Sequence, residues 1–262
     1  MRNKVHVYII CWNEIDILPF CVDYWKCFAE RVIVYDNGSD DGTLEFLDKF
    51  KPWIEVRHFD SEGVDNEAYL RIKNNVWKES RGKADFVSVG DTDELLFSPV
   101  LDEELDYMKD NNMTICGPRQ YSLLGESFPQ YEDGKLIHEL VQRARLQPSN
   151  HTYKNVSGKI MLFNPNEIEE INYKPGCHYT DIKGNVKLYD GNKIFCIHTN
   201  KGFGADYRIA RYRQLQKRRS PNDIKKGYGI HFTHTDDKIR SDYNKGINES
   251  VNFMDVLKET FN

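Results

Sequence analysis

The strongest constraint on the fold is a change of period that recurs through the first hundred residues. Four short runs rich in β-branched and aromatic residues, KVHVYIIC, RVIVYD, WIEVRHF and ADFVSVGD, read as strands. Between them lie EIDILPFCVDYWKCF, SDDGTLEFLDKF and NEAYLRIKNNVWKESRG, whose apolar residues return at helical spacing. Pro19 suits the first turn of the first helix, Ser39 with Asp40 or Asp41 marks the start of the second, and Gly82 stops the third. Parallel neighbours need a crossover of a dozen residues or more, and a helix is its usual form. The alternation therefore predicts an α/β fold with a mostly parallel sheet flanked by helices.

In such sheets ligands bind beyond the carboxyl ends of the strands. Three of the four ends are polar here: CWNE, YDNGSDDGT and GDTDE. All three are expected along one rim. The last holds Asp91, Asp93 and Glu94 within four residues, so their mutual repulsion needs an opposite charge. A hard divalent cation held by Asp91 and Asp93 would supply it, since Mg²⁺ and Mn²⁺ prefer oxygen donors. A solvated loop or a helix N-terminus also favours acids. In VYDNGSDDGT, turn and capping chemistry accounts for Gly38, Ser39 and Asp41 and leaves Asp36 facing the ligand rim.

The second half is less regular. SPVLDEELDYMKDN reads as a helix, MTICGPRQYSLL and SGKIMLFNP as strands, and residues 125–155 as loops with a hairpin. NVKLYDGNKIFCIHTN reads as a hairpin turning at Asp190, Gly191 and Asn192. GADYRIARYRQLQKRRS is a strongly basic helix and ESVNFMDVLKETF a terminal one. With no repeat and no linker, the expectation is one domain, 1–200, in two halves (1–97 and 98–200), followed by a helical C-terminal extension (201–262).

Composition narrows the function. With 41 acidic against 36 basic residues and a net charge of −5, the chain does not resemble a nucleic-acid binder. The longest apolar run, Val5 to Trp12, falls far short of the roughly 20 residues of a membrane span and lacks a signal-peptide cleavage site. The six cysteines form no C-x-x-C pair, and four sit in apolar stretches. A reduced, cytoplasmic protein is expected.

With CWNEIDILP, VYDNGSDDGT and FVSVGDTDELL in this order, the chain resembles the family 2 glycosyltransferases. It is most similar to the branch with an N-E-x-x-x-L-P opening, a D-N-x-S-x-D-G-T second-strand end and a D-x-D-E motif. KNNVWKESRGKADFVSVGD resembles that family's helix leading to the D-x-D strand, with Lys73-Asn74 in place of Arg-Asn. The match covers residues 4–97 well and 157–200 loosely. It implies a GT-A-type, Rossmann-like, mostly parallel sheet flanked by helices, with a mixed C-terminal half.

The resemblance also implies a nucleotide-sugar donor, UDP- or dTDP-linked, with Mn²⁺ or Mg²⁺. Backbone at Cys11, Asn13 and Glu14 would meet the base, and Asp36 the base or ribose. Asp91 and Asp93 would meet the ribose and the metal-bound diphosphate, and Lys73 joins the donor-binding set. His198, which ends an apolar strand, is the candidate third metal ligand, with His178 its rival; Lys201 would reach the diphosphate. An inverting transferase needs a carboxylate to take the acceptor proton. The family's usual E-D pair is absent, which leaves Asp181 and Asp206 as candidates.

Aromatic and imidazole platforms for an acceptor sugar are expected from Tyr121, Tyr131, His151 and Tyr153. The basic helix 206–219 carries Arg208, Arg211, Arg213, Lys217, Arg218 and Arg219, with Phe203, Tyr207 and Tyr212 beside it. It reads as a solvated face, or as a peripheral contact with an anionic membrane or a lipid-diphosphate acceptor. The function expected is a metal-dependent glycosyltransferase of surface polysaccharide or glycoconjugate synthesis. The alternatives are a nucleotidyltransferase, which would normally show a Gly-rich loop after the first strand that CWNEID lacks, and a non-catalytic nucleotide-sugar-binding protein, against which the intact Asp36, Asp91 and Asp93 argue.

Overall fold

A computed structural model describes residues 2–147, 159–199 and 202–262. The expected alternation opens it: β1 (Val5–Cys11), α1 (Leu18–Phe28), β2 (Ala29–Asp36), α2 (Thr43–Asp48), β3 (Ile54–His58), α3 (Asn66–Asn75) and β4 (Phe86–Asp91). Pro19 lies in the first turn of α1, where a missing N–H costs nothing. The chain then runs through β5 (Glu94–Phe97), α4 (Leu101–Asp110), β6 (Ile115–Cys116), β7 (Arg119–Leu123), α5 (Ile137–Leu140), β8 (Arg143–Leu146) and β9 (Leu162–Phe163). It ends with β10 (Ile168–Glu170), β11 (Lys183–Gly184), β12 (Phe195–His198), α6 (Ala205–Arg218), α7 (Pro221–Lys226), α8 (Asp236–Asn248), β13 (Val251–Asn252) and α9 (Phe253–Phe261).

The main sheet has the order β3-β2-β1-β4-β9-β6. Its first four strands are parallel, and β9 and β6 add antiparallel pairings. From β1 the chain winds outward to β2 and β3, then returns to the opposite side as β4. The carboxyl ends of β1 and β4 thus form a topological switch point, where a crevice opens. β1 is buried throughout, and its residues alternate between faces. Val7, Ile9 and Cys11 face the core that includes α1, while Tyr8 faces a second one with Trp77 and Phe163.

A second sheet, β13-β8-β7-β12-β5, stands beyond β4. Its β5 follows β4 after a two-residue turn, and β12 pairs with β5 so that His198 lies opposite Glu94. This places the late histidine beside the acids of the first half.

Several details differ from expectation. MTICGPRQYSLL splits at Gly117-Pro118 into β6 and β7, which join different sheets, because proline lacks the N–H a continuous central strand needs. Over the described residues 185–199 the expected hairpin does not form: Thr114 and Ile115 donate to Lys187 O, and β12 pairs instead with β5 and β7. Among the described residues of SGKIMLFNP, 159–165, only Leu162–Phe163 is strand. The extension is not purely helical, since β13 pairs with β8 and Phe253 of α9 is fully buried in the core.

Candidate functional site

A cavity of about 280 Å³ occupies the switch point. One wall is the end of β1 with Cys11, Trp12 and Glu14; another is α3 with Asn66, Tyr69 and Lys73. The floor is the turn Asp91–Glu94, and Lys159, His178 and His198 come from the second half. Arg211 and Leu215 of α6, with Phe232, close it from the C-terminal extension.

Lysines supply the charge that the acid cluster requires. Lys73 donates to Asp91 Oδ1 at 2.6 Å, and Lys159 lies 3.5 Å from Asp91 Oδ2. Lys159 also reaches both oxygens of Glu94 at 2.6 Å. Burial alone would raise the Asp91 carboxyl, but Lys73 and Lys159 outweigh it and hold it below the usual carboxylate range. Against their own burial, Asp91 carries the Lys73 ammonium upward, and Glu94 with Asp91 carries that of Lys159. Lysine is seldom buried without a partner, and both of these have one.

Asp93 and His198 face each other across the floor, with His198 Nε2 3.4 Å from Asp93 Oδ2. Gln120 holds the other ring nitrogen at 3.0 Å, and Thr199 N–H donates to Asp93 O at 2.9 Å. Burial would lower the His198 imidazole, yet the Asp93 carboxylate outweighs it and raises it.

As a metal site the pair fits in one specific sense. Two donors on one octahedral ion at about 2.1 Å sit about 3 Å apart, close to the separation seen here. Asp91 is held by lysines, and among the described residues no group of three or more His, Cys, Asp or Glu side chains is placed to hold a metal. Asp93 and His198 would therefore offer an ion two donors, a carboxylate oxygen and an imidazole nitrogen, and phosphate oxygens and water would have to complete its shell. His178 lines the same cavity on an exposed turn, without completing such a group.

The end of β2 serves this site from behind. Asp36 is fully buried and is not part of the cavity wall. Its carboxylate accepts from Gly38 N–H at 2.9 Å and Ser39 N–H at 3.2 Å, and His58 Nδ1 lies 3.4 Å away. The turn it holds supports the β1 loop: Asn13 N–H donates to Ser39 Oγ, Glu14 N–H to Thr43 Oγ1 and Ile15 N–H to Asp41. Asn13 has φ +50° and spends its side chain on Asp40, away from the cavity. The contacts of Asp36 are those of turn chemistry; Cys11 and Glu14 reach the cavity, and Asn13 does not line it.

The basic helix corrects the largest expectation. Arg211 is buried, donates to Trp12 O at 2.8 Å and Glu14 Oε1 at 2.6 Å, and lies over the Trp12 ring. Arg218 covers the same ring at 4.1 Å and donates to Asn37 O at 2.9 Å. Arg208 reaches Tyr212, and Arg213 reaches Phe232 O, His234 O and Asp236. Phe203 and Tyr212 are buried, and Tyr207 packs on Phe128. These guanidinium groups and rings are engaged within the chain, while Lys217 of the same helix stays exposed.

Other expected residues lie elsewhere. Asp181 is exposed and outside the cavity wall, with its backbone tied to Asn172. Asp206 is exposed and paired with Arg240. Neither is placed to take a proton from a substrate in this cavity. Tyr121 is a core residue against Phe195 and Phe253, and Tyr131 donates to Asp23. Lys201, His151 and Tyr153 fall outside the described residues.

Lys159 was not among the expected site residues, although a lysine directly before the apolar run IMLF is a usable signal of a buried, paired cation. Nor was Arg211 expected to turn inward, although it shares a helix face with Leu215 four residues on.

Comparison with known proteins decides the family. The model of glycosyl transferase family 2 matches residues 6–167, more than half of the chain. The chain belongs to that family. A family 2 domain therefore contains β1 to β4, the Asp91–Glu94 turn and Lys159, while His198 and α6 lie beyond the matched region. An uncharacterized glycosyltransferase of Bacillus subtilis (strain 168), YfnE, is 33% identical over 113 residues, which are 40% of this chain and 27% of YfnE. Among solved structures, S. aureus TarS 1-349 matches with TM-score 0.43 and 13% identity, covering 82% of this chain and 65% of TarS 1-349. The same fragment in complex with UDP-GlcNAc matches with TM-score 0.42 and 13% identity, covering 82% of this chain and 66% of the other. The chain thus spans about a quarter of YfnE and just under two thirds of the TarS fragment.

Proposed function

We propose that this family 2 protein transfers a sugar from a UDP-type nucleotide sugar to a hydroxyl of a glycan, lipid-linked or protein acceptor, in surface polysaccharide or glycoconjugate synthesis. What supports the reading is the facing pair Asp93 and His198 in the switch-point cavity. Asp93 and His198 would hold Mn²⁺ or Mg²⁺. When bound, the ion would supply Lewis-acid stabilisation of the departing diphosphate.

The chain's own residues do the rest. Lys73 and Lys159 keep Asp91 ionised at the carboxyl end of β4. Gln120 orients the His198 ring so that Nε2 points at Asp93. Trp12, Tyr69 and Leu215 give the cavity apolar walls on which a base can rest, as ligand sites generally combine such walls with a few polar groups.

The test is donor hydrolysis and thermal stability of the purified protein across UDP- and dTDP-sugars, with and without Mn²⁺. Binding to the folded state raises the melting temperature. One class of donor is expected to shift it in a metal-dependent way and to be hydrolysed slowly. Absence of any shift and any turnover across the panel contradicts the reading.

A further inference from the structure

We propose that Lys159 is a positioning residue for the transfer: it braces Glu94 beneath the Asp91–Glu94 turn, and Glu94 fixes the turn that presents Asp93 to the cavity. The inference rests on the glycosyltransferase reading and adds a residue to it.

The brace is built from both halves of the fold. Lys159 and Glu94 are almost fully buried, with side-chain exposures of 4% and 5%. The ammonium sits 2.6 Å from each Glu94 oxygen and 3.5 Å from Asp91 Oδ2. An ammonium has three N–H donors, and three carboxylate oxygens take them up. Lys159 therefore has no donor left for a phosphate while the brace is intact.

Glu94 passes the constraint on. Its Oε2 accepts the Asp91 backbone N–H at 3.1 Å, closing the turn from inside. Gly90 leaves space for this, since a Cβ there would meet Glu94 Oε2 and Met161 Cε at 3.3 Å each. On the ladder Glu94 lies opposite His198, and the Asp93 carbonyl is held by Thr199 N–H. Asp93 and His198 thus owe their facing geometry to a turn pinned on one side by β12 and on the other by the Glu94–Lys159 pair. Removing the lysine leaves a buried carboxylate without its cation, whereas removing both charges is far better tolerated.

That asymmetry defines a double-mutant cycle of Lys159→Met, Glu94→Gln and the pair, with Lys159→Arg as the conservative variant. Wild-type donor hydrolysis is measured first; if it is absent, the glycosyltransferase reading fails, independently of the brace. Then kcat, KM for the donor, UDP affinity and melting temperature are compared. Lys159→Met is expected to lower kcat about a hundredfold, the scale of a displacement of about 1 Å at a reacting centre. UDP affinity is expected to change much less. In the double variant the side-chain amide oxygen introduced by Glu94→Gln still accepts the Asp91 N–H, so kcat is expected to return to within roughly tenfold of wild type as the melting temperature recovers. Lys159→Arg is expected to keep partial kcat.

A folded double variant with kcat as low as Lys159→Met shows that the lysine acts on substrate, and overturns the proposal. Lys159→Met with normal kcat and only a lower melting temperature shows a purely structural role, as does failure of all the Lys159 variants to fold. If Lys159→Met alone fails to fold, the double variant decides: active supports the brace, and folded but inactive overturns it.

Discussion

Lys73 donates to Asp91 at 2.6 Å inside the switch-point cavity, so the strand-end acids are balanced by the chain's own cations. The lysine comes from α3 and is nearly inaccessible, while Asp91 remains 38% exposed at the cavity surface. Lys73→Met is expected to destabilise the protein by about 1–3 kcal/mol, less than the loss of a fully buried pair because Asp91 keeps contact with water. Urea unfolding at neutral pH measures it; an unchanged midpoint contradicts the pairing. The contribution has a defined sign. The Asp91 carboxyl lies below its unfolded value, so the stabilisation is complete above that value, near pH 4, and fades as pH falls further.

His138 provides a second pH signature. It packs against Phe97 and Phe253, with Tyr24 Oη 2.5 Å from Nδ1, and burial pushes its imidazole down to about 4. The unfolded chain takes up the proton near pH 6.5, so stability is full above that value and declines as pH falls toward 4, by about 3 kcal/mol in all. Chemical unfolding at pH 7 and pH 5 tests this against His138→Gln, in which that slope is expected to disappear. An equal slope in both proteins contradicts it.

Asp36 was legible as a strand-end acid, and the contacts it makes are internal. Asp36→Ala removes the acceptor of the Gly38 and Ser39 amides and is expected to cost about 1–3 kcal/mol of stability. The β1 loop leans on the same turn through Ser39, so nucleotide affinity is expected to fall along with stability. Normal stability with weakened UDP binding would instead make Asp36 a direct ligand.

The extension is held on the site by Arg211 and Arg218 around Trp12. Arg218→Ala is expected to loosen this contact by about 1–2 kcal/mol, from a cation–π pair and a lost hydrogen bond to Asn37 O. Hydrogen exchange is the readout: amides of α6 and α7 are expected to exchange faster while those of β1 and β4 do not. Unchanged protection in α6 contradicts the role.

The sequence made the Rossmann-like half readable because its signals are local. Period, Pro19, Gly82 and the strand-end acids each lie within one element and its neighbours. What stayed hidden depends on contacts distant in the chain. Lys159 meets Glu94 only because β9 returns beside β4, and Arg211 turns inward only because α6 docks on Trp12. A charged helix with a narrow apolar face looks the same in sequence whether it meets water, a membrane or the rest of its own chain. The false hairpin at 185–200 has a related origin, since turn residues at Asp190–Asn192 allow reversal, but β6 and β5 compete for the same edges.

The central claim is that Asp93 and His198 form the metal-dependent end of a nucleotide-sugar site. Calorimetric titration of UDP into wild type, Asp93→Ala and His198→Ala, each with and without Mn²⁺, tests it most directly. Wild type is predicted to bind UDP more tightly with Mn²⁺, and both variants to lose that enhancement while keeping their melting temperature. Full Mn²⁺ enhancement in a folded Asp93→Ala protein would contradict the account.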